Sequence, residues 1–539
     1  MHPAGKKKMN NRDLKYAIEY HEETKHSEIK LQMFRHYLDW DNKPKPFKVY
    51  PELPSILLPR DFQVPASDAL ACISSTHPFL PESPLDIRAL AQLLFFSAGI
   101  TREMKFDSGT YYMRAASATG ALYPIELYVV CRDIGGLQAG VYHFSPGDFS
   151  LAQLRRGDFR PQLAEMAGGN PGILSSPVTL AFTSIAWRNA WKYGDRSYRH
   201  WFWDSGVIAA NLLAVAASAG LQPALAMGFA DSAVNNLLCV EQRKEAAVVL
   251  ASINLPSRTN SEMRPDPTPV AVATSPKILP ISQIEVEHPE IWKIHKASSL
   301  ATSEEVVQWL GAKINPNQKP GASRQERARD IPQGTAGLGD VILRRGSSRR
   351  FSHSAISQAQ LSAILYSSTR GIPLDFLEEK ASSVDVYFMA NAVEGLTPGR
   401  YFYNRQSGSF ESLASKSKIA SRNESGYLCL GQPLFSDASA VFFVMADLDA
   451  HLKALGNRGY RACQFEAGVV AGKIYLSAYA QGLGASGSTF YDDAVTESFS
   501  PHAKDKSAMI AVGVGMPAYK ARPGKVLAAT LTRAELLNQ

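Results

Sequence analysis

Apolar positions along the chain recur at two spacings, three to four residues in some windows and two in others. Behind Asp86, a residue suited to cap a helix, Leu90, Leu93 and Leu94 share one helical face. Ile125-Glu126-Leu127-Tyr128-Val129-Val130 has strand character, and a turn at Gly136-Leu137 leads to a second strand at Gly140–Phe144. Ser205–Leu221 reads as a long apolar helix, with Gly220 placed to cap its C-terminus. The window Gly206–Phe229 is apolar enough to raise the question of a membrane span. Asn211, Ser218 and the break at Gln222-Pro223 predict instead a buried helix of about four turns. Val248–Leu255 closes this half as a strand.

The pattern then comes round again. Leu90, Leu93 and Leu94 return as Leu361, Ile364 and Leu365, an offset of 271. Gly136, Leu137, Gly140 and Tyr142 return as Gly395, Leu396, Gly399 and Tyr401, an offset of 259. Arg196, Tyr198, Arg199, Gly206, Gly220 and Leu221 return as Arg458, Tyr460, Arg461, Gly468, Gly482 and Leu483 at 262, and Phe229, Ala233 and Val234 as Phe490, Ala494 and Val495 at 261. The chain therefore reads as a covalent tandem of one α+β domain. The fall from 271 to 259 means that the second copy lacks 12 residues between its first helix and the Gly395 turn.

Around the repeats, residues 1–60 form a leader whose Pro44, Pro46 and Pro51 favour an extended strap over a packed unit. Residues 61–260 are the first domain and 336–539 the second. Between them, 261–335 is a Pro-rich linker with a short amphipathic helix near Glu304–Ala312. A length of 539 residues, 45% hydrophobic and 20% charged, suits two globular domains. The net charge of +7 is scattered and favours an anionic ligand without indicating nucleic acid. Cys72, Cys131, Cys239, Cys429 and Cys463 lack CxxC or Cys/His spacing, so neither a disulfide framework nor a zinc site is expected. With no apolar run after Lys6-Lys7-Lys8, no signal peptide or membrane anchor is expected, and the cytoplasm is the expected location.

The chemistry concentrates where the two copies differ. Arg345, Ser347 and Arg349 alternate in an extended run, aligning two guanidiniums and a hydroxyl for a phosphate. Offset by 271, the first copy has Ser74, Thr76 and Pro78 instead. It keeps a small-residue loop, Arg114–Pro124, in which Ser117, Ala118, Thr119 and Gly120 let backbone lie close to a flat ligand. Each copy retains the half-site that the other has lost. One ligand gripped between the two halves is the expectation.

These motifs, with Gly395-Leu396-Thr397-Pro398-Gly399-x-Tyr401 and the leader's Tyr20-His21-Glu22 and Thr24-Lys25, resemble the nitroreductase-like flavoprotein superfamily. Within it they resemble the SagB/ThcOx-type azoline dehydrogenases of thiazole/oxazole peptide biosynthesis. The resemblance implies two nitroreductase-like α/β/α sandwich domains packed as an intramolecular pseudo-dimer, monomeric overall, with FMN across the interface. It implies a phosphate grip at Arg345, Ser347 and Arg349, completed by Lys520 or Arg522, and a ring loop at Ser117–Gly120. The family usually carries Pro-Ser where this chain has Ser117-Ala118, which leaves the backbone contacts there. Ser486, Gly487, Ser488 and Thr489 correspond to the loop approaching the flavin N5 and O4 edge. Lys192 and Tyr193, replaced by Ala454-Leu455 in the second copy, correspond to the Lys-Tyr pair that handles protons beside hydride transfer.

The expected activity is FMN-dependent hydride transfer with one FMN per chain. The substrate is either an azoline-like ring of a modified peptide or small molecule, with electrons passed to oxygen, or a nitro, quinone or enone compound reduced by NAD(P)H. No GxGxxG follows a strand, so a nicotinamide would dock only transiently. A non-catalytic flavin-binding scaffold subunit of a biosynthetic complex accounts for the same features.

Overall fold

The computed structural model describes residues 10–33, 37–75, 84–107, 109–255, 275–314, 325–327, 336–378, 381–413, 422–526 and 531–538. Two seven-stranded antiparallel sheets follow one plan. The first runs, in spatial order, Ser55–Leu57, Ser150–Arg156, Gly140–Ser145, Ile125–Cys131, Val178–Ile185, Glu245–Asn254 and Gln222–Ala226. The second runs Gln325–Arg327, Ser409–Ser412, Gly399–Asn404, Val384–Ala390, Ala440–Ala446, Ser507–Gly515 and Gly484–Ser488. Side chains alternate across a strand, so a sheet covered on both faces feeds two cores. In the strand Ile125–Cys131, Leu127 and Val129 enter one core while Tyr128 and Val130 enter another. Val386 and Phe388 of the second copy enter the same central core as Leu127. The two α/β/α sandwiches thus share an interior.

At the middle of that interior two long helices cross, Ser197–Ser218 and Arg458–Ala480. A Cβ on Gly206 would lie 2.6 Å from the carbonyl carbon of Gly468, and one on Gly468 would lie 2.7 Å from the Phe202 oxygen. Only paired glycines let the backbones approach this closely. The first helix begins at Ser197 rather than Ser205 and is buried along its whole length. Its polar opening hid its start in the sequence, because those charges are neutralised by the other copy. Asp492 accepts from Arg196 and Arg199 at 3.0 and 2.7 Å, and Asp231 accepts from Arg458 and Arg461, both at 2.6 Å. The two aspartates stand 261 residues apart, the offset of their neighbours. Each copy thus gives an arginine pair and receives one, the self-complementary contact of a twofold interface. Burial opposes the charge on Asp231, but Arg458 and Arg461 outweigh it and hold its pKa at about 2.

The leader is more tightly packed than its prolines suggested. Residues 43–53 do lack regular structure, but Phe47, Val49 and Tyr50 are buried. Upstream, the helix Lys15–Glu23 buries Tyr20, whose ring meets Tyr198 and Tyr460 edge-on at 5.7 Å each. Those two tyrosines are repeat partners, so the leader sits astride the pseudo-twofold. Beyond the expected short helix, found at Ser303–Leu310, the linker has another at Pro289–Ala297, with proline in its first turn. The length difference between the copies coincides with a β-hairpin, Ile100–Phe106 with Gly109–Arg114, present only in the first copy among the described residues.

Candidate functional site

One large cavity, about 1740 Å³, opens between the two halves. Its second-copy wall is the segment carrying Arg345, Ser347 and Arg349. That segment is extended because it pairs with two neighbours. The Ser348 N–H donates to the Ala485 carbonyl at 2.8 Å, the Ser352 N–H to Met516 at 2.9 Å, and the Ala518 N–H back to Arg350 at 3.1 Å. Alternation then turns Arg345, Ser347 and Arg349 toward the cavity, and the irregular segment that follows the Phe351–Pro517 bridge brings Lys520 and Arg522 to it. Among the described residues, the side chains of Arg349, Lys520 and Arg522 have no hydrogen-bond acceptor. Arg345 differs. It is buried, and its Nε and Nη2 donate at 2.8 Å to the carbonyls of Ala115 and Arg114. It is therefore a tie between the copies as well as a member of the cationic wall.

The opposite wall is the loop Ser117–Gly120 of the first copy. Gly120, Ala121 and Tyr123 have φ of 64°, 54° and 49°, so three of four consecutive residues are left-handed. Left-handed backbone at alanine and tyrosine is uncommon and persists only where surroundings enforce it. One constraint is Asp204 on the first long helix, whose Oδ1 accepts from the Thr119 N–H at 2.9 Å and hydroxyl at 2.7 Å. Burial pushes the Asp204 carboxyl up to about 7, against the hydrogen bonds from Thr119 and Asn189. A second constraint is Tyr193. A Cβ on Gly120 would lie 2.6 Å from the Tyr193 hydroxyl, so the ring packs where glycine leaves room.

Lys192 and Tyr193 end the helix Ala186–Tyr193 and both line the cavity. Lys192 is half-buried and has no acceptor among the described residues. Burial, with repulsion from Arg349 and Lys43, lowers its pKa. Burial and then Asp204 raise that of Tyr193. The edge strand contributes Ser486, Gly487, Ser488 and Thr489. The Gly487 N–H donates to the Tyr475 hydroxyl, Ser488 accepts from Gln432 at 2.7 Å, and Thr489 accepts from Arg196 at 2.9 Å. All fifteen residues singled out from the sequence line this one cavity.

Sequence reasoning missed Asp204, Tyr475 and Arg102. From the hairpin, Arg102 donates to the carbonyls of Leu343, Arg344 and Arg345 at 2.8 to 2.9 Å, capping the helix Leu338–Arg344 just before the cationic run. The alternating, β-branched and aromatic residues either side of Asp107-Ser108-Gly109 were a hairpin signal that could have been read.

The position related by the pseudo-twofold is filled by protein. Met227 and Gly228, repeat partners of Ser488 and Thr489, donate their N–H groups to the Asp375 carboxylate at 2.8 to 3.0 Å. Leu374 bridges to Leu225 in parallel, Phe376 meets Trp309 at 6.1 Å, and a Cβ on Gly371 would lie 2.1 Å from the Ser75 oxygen. Burial raises the Asp375 carboxyl to about 6. Ser74 ends a helix, while Thr76 and Pro78 lie outside the described residues.

The nitroreductase family profile matches residues 74–253 and again 342–516. The chain belongs to the nitroreductase family. A crystal structure from Anabaena variabilis, described under that family name, superposes over 93% of this chain and 99% of its own, with a TM-score of 0.74 and 26% identity. A nitroreductase-family protein of Methanocaldococcus jannaschii is 29% identical over 187 residues, 35% of this chain and 90% of the relative. The trifolitoxin-processing protein TfxB of Rhizobium leguminosarum bv. trifolii is 30% identical over 203 residues, 36% of this chain and 54% of TfxB. The match thus spans about half of TfxB. Nitroreductase membership places the chain among oxidoreductases. Among the described residues no helix is long and apolar enough to cross a membrane, and no group of histidine, cysteine and carboxylate side chains could hold a metal ion.

Proposed function

We propose that the chain is an FMN-dependent oxidoreductase with one FMN per chain, held between its two copies, and that it is a monomer. The observation that carries this is the asymmetry of the two related positions. One pairs unneutralised cations of the second copy with a small-residue loop of the first, while the other is filled by Asp375 and its neighbours. The residues fit the group. Arg349, Lys520 and Arg522, the Ser347 hydroxyl and the free Nη1 of Arg345 suit a phosphate, and Ser117–Gly120 suits a planar ring. FMN supplies two-electron hydride chemistry when bound.

The chain's own residues would bind and orient that group, exclude water and manage protons. Lys192, desolvated and repelled by Arg349 and Lys43, releases a proton more readily than an exposed lysine and can act as a base beside the ring loop. Tyr193, whose hydroxyl touches Gly120, can relay that proton. The substrate reading favoured here is an azoline-like ring of a modified peptide, which loses two electrons and two hydrogens, with oxygen as the terminal acceptor. The likeness to a trifolitoxin-processing protein supports it. A second reading, reduction of nitro, quinone or enone compounds by NAD(P)H, is supported by the Anabaena structure, which matches the whole tandem. Anaerobic titration of the flavin-loaded protein separates them. Bleaching of the visible band by an azoline-bearing peptide supports the first, and bleaching by NAD(P)H followed by reoxidation with a nitroarene supports the second. A flavin that neither reagent reduces would favour a scaffold role.

A further inference from the structure

The long helix of each copy sends one carboxylate to the loop that leads into the central strand of its own sheet. In the first copy this is Asp204, bound to the N–H and hydroxyl of Thr119. At the 262-residue offset the second copy has Glu466, which accepts from the Ser382 hydroxyl at 2.6 Å, from the Ser383 N–H at 3.1 Å and from the Ser383 hydroxyl. The device is thus common to both copies, but only the first copy's loop lines the cavity. There it holds a strained stretch, with Ala121 and Tyr123 at positive φ. Asp204 is the side-chain acceptor that ties Thr119, at the start of that stretch, to the long helix.

We infer that Asp204 is a positioning residue that fixes the Thr119–Gly120 loop for the flavin ring, and that it does so as a hydrogen-bond acceptor rather than through its charge. Two observations favour the acceptor role. The carboxyl is buried and raised to about 7, so that much of it is neutral near pH 7. Its other oxygen, Oδ2, faces Asn189, whose Nδ2 lies 3.4 Å away and whose Oδ1 is buried without a partner. A neutral Asp204, or an amide in its place, can donate to that oxygen once the Asn189 amide turns over, and still accept from Thr119 with Oδ1. The groups around it are Tyr193, Asn189 and Thr119 from the first copy, with His200 one turn back on its own helix. His200 is itself held neutral by burial and by Arg196.

The inference rests on the FMN reading above, and the test separates the two. Asp204→Ala, Asp204→Asn and Glu466→Ala would be purified without cofactor, titrated with FMN by fluorescence quenching, and examined loaded by visible circular dichroism. Asp204→Ala is expected to weaken FMN binding about tenfold or more, because it strands the Thr119 donors, and to change the sign or strength of the flavin dichroism. Asp204→Asn is expected to restore both, and Glu466→Ala to lower the melting temperature with FMN affinity unchanged. Wild-type affinity and dichroism in Asp204→Ala would overturn the inference, as would an equal loss of affinity in Glu466→Ala. Failure of Asp204→Asn to restore binding would overturn the acceptor role in favour of charge. A wild-type protein that binds no FMN would instead remove the functional reading beneath it.

Discussion

At the scale of residues, the cavity divides labour between side chains that look alike in the sequence. Arg345 and Arg349 are two guanidiniums of one motif, yet the first is buried against two carbonyls and the second has no acceptor among the described residues. Arg349→Ala should therefore weaken FMN by one charge-assisted interaction, roughly 1.5–3 kcal/mol, with the melting temperature unchanged. Arg345→Ala should lower the melting temperature as well, which paired calorimetry and flavin titration can check. Gly120→Ala meets both a left-handed φ and the Tyr193 hydroxyl. It should cost on the order of 1–3 kcal/mol and loosen FMN, while Tyr193→Phe in the same background should recover part of the loss. The sequence made Arg345, Ser347 and Arg349 legible because strand alternation is a local property. Asp204 was not legible, since an aspartate within an apolar helix gains meaning only from the loop folded over it.

At the scale of elements, periodicity found the strands Ile125–Cys131, Gly140–Ser145 and Glu245–Asn254 and the helix Ile87–Ala98. It passed over Ser150–Arg156, Val178–Ile185 and Gln222–Ala226 and misplaced the start of the long helix. Asp86 does cap its helix, accepting from the Arg88 and Ala89 N–H groups, and Ser357 forms a capping box with Gln360. These signals act over one turn and survive without context. The start of the long helix at Ser197 depends on Asp492, nearly three hundred residues away, and no window could register it. The segment Gly371–Leu377 is a similar case, because what Asp375 does there is set by Met227 and Gly228, distant in the sequence. Asp375→Ala should leave those two donors unpaired and cost about 1–3 kcal/mol, lowering the melting temperature. The flavin-to-protein ratio should stay at one, because the cations that would hold a second phosphate are missing from the first copy.

For the whole molecule, the reciprocal triads around Asp231 and Asp492 make stability depend on acid. Both carboxyls are held below their ordinary value by arginine pairs, Asp231 at about 2. A group whose pKa is lower folded than unfolded stabilises the fold above its unfolded value, about 3.9, and loses that contribution as pH falls through its folded value. The melting temperature should therefore drop between about pH 4 and 2. Asp231→Asn, which leaves Arg458 and Arg461 buried without a counter-charge, should cost about 3–5 kcal/mol already at neutral pH and flatten part of that acid limb. The repeat itself was plain from the offsets, since a duplicated chain keeps its register. Which of the two related cavities stays open was only half visible, as a missing pair of arginines.

Joining the two copies in one chain frees each end of the interface to change alone. In a dimer of identical subunits, one codon change alters both ends of the interface at once, so nothing can be tried at one end without being imposed on the other. Here Lys192-Tyr193 and Ala454-Leu455 are separately encoded. The open end can be retuned toward new substrates while the closed end goes on serving as a keel.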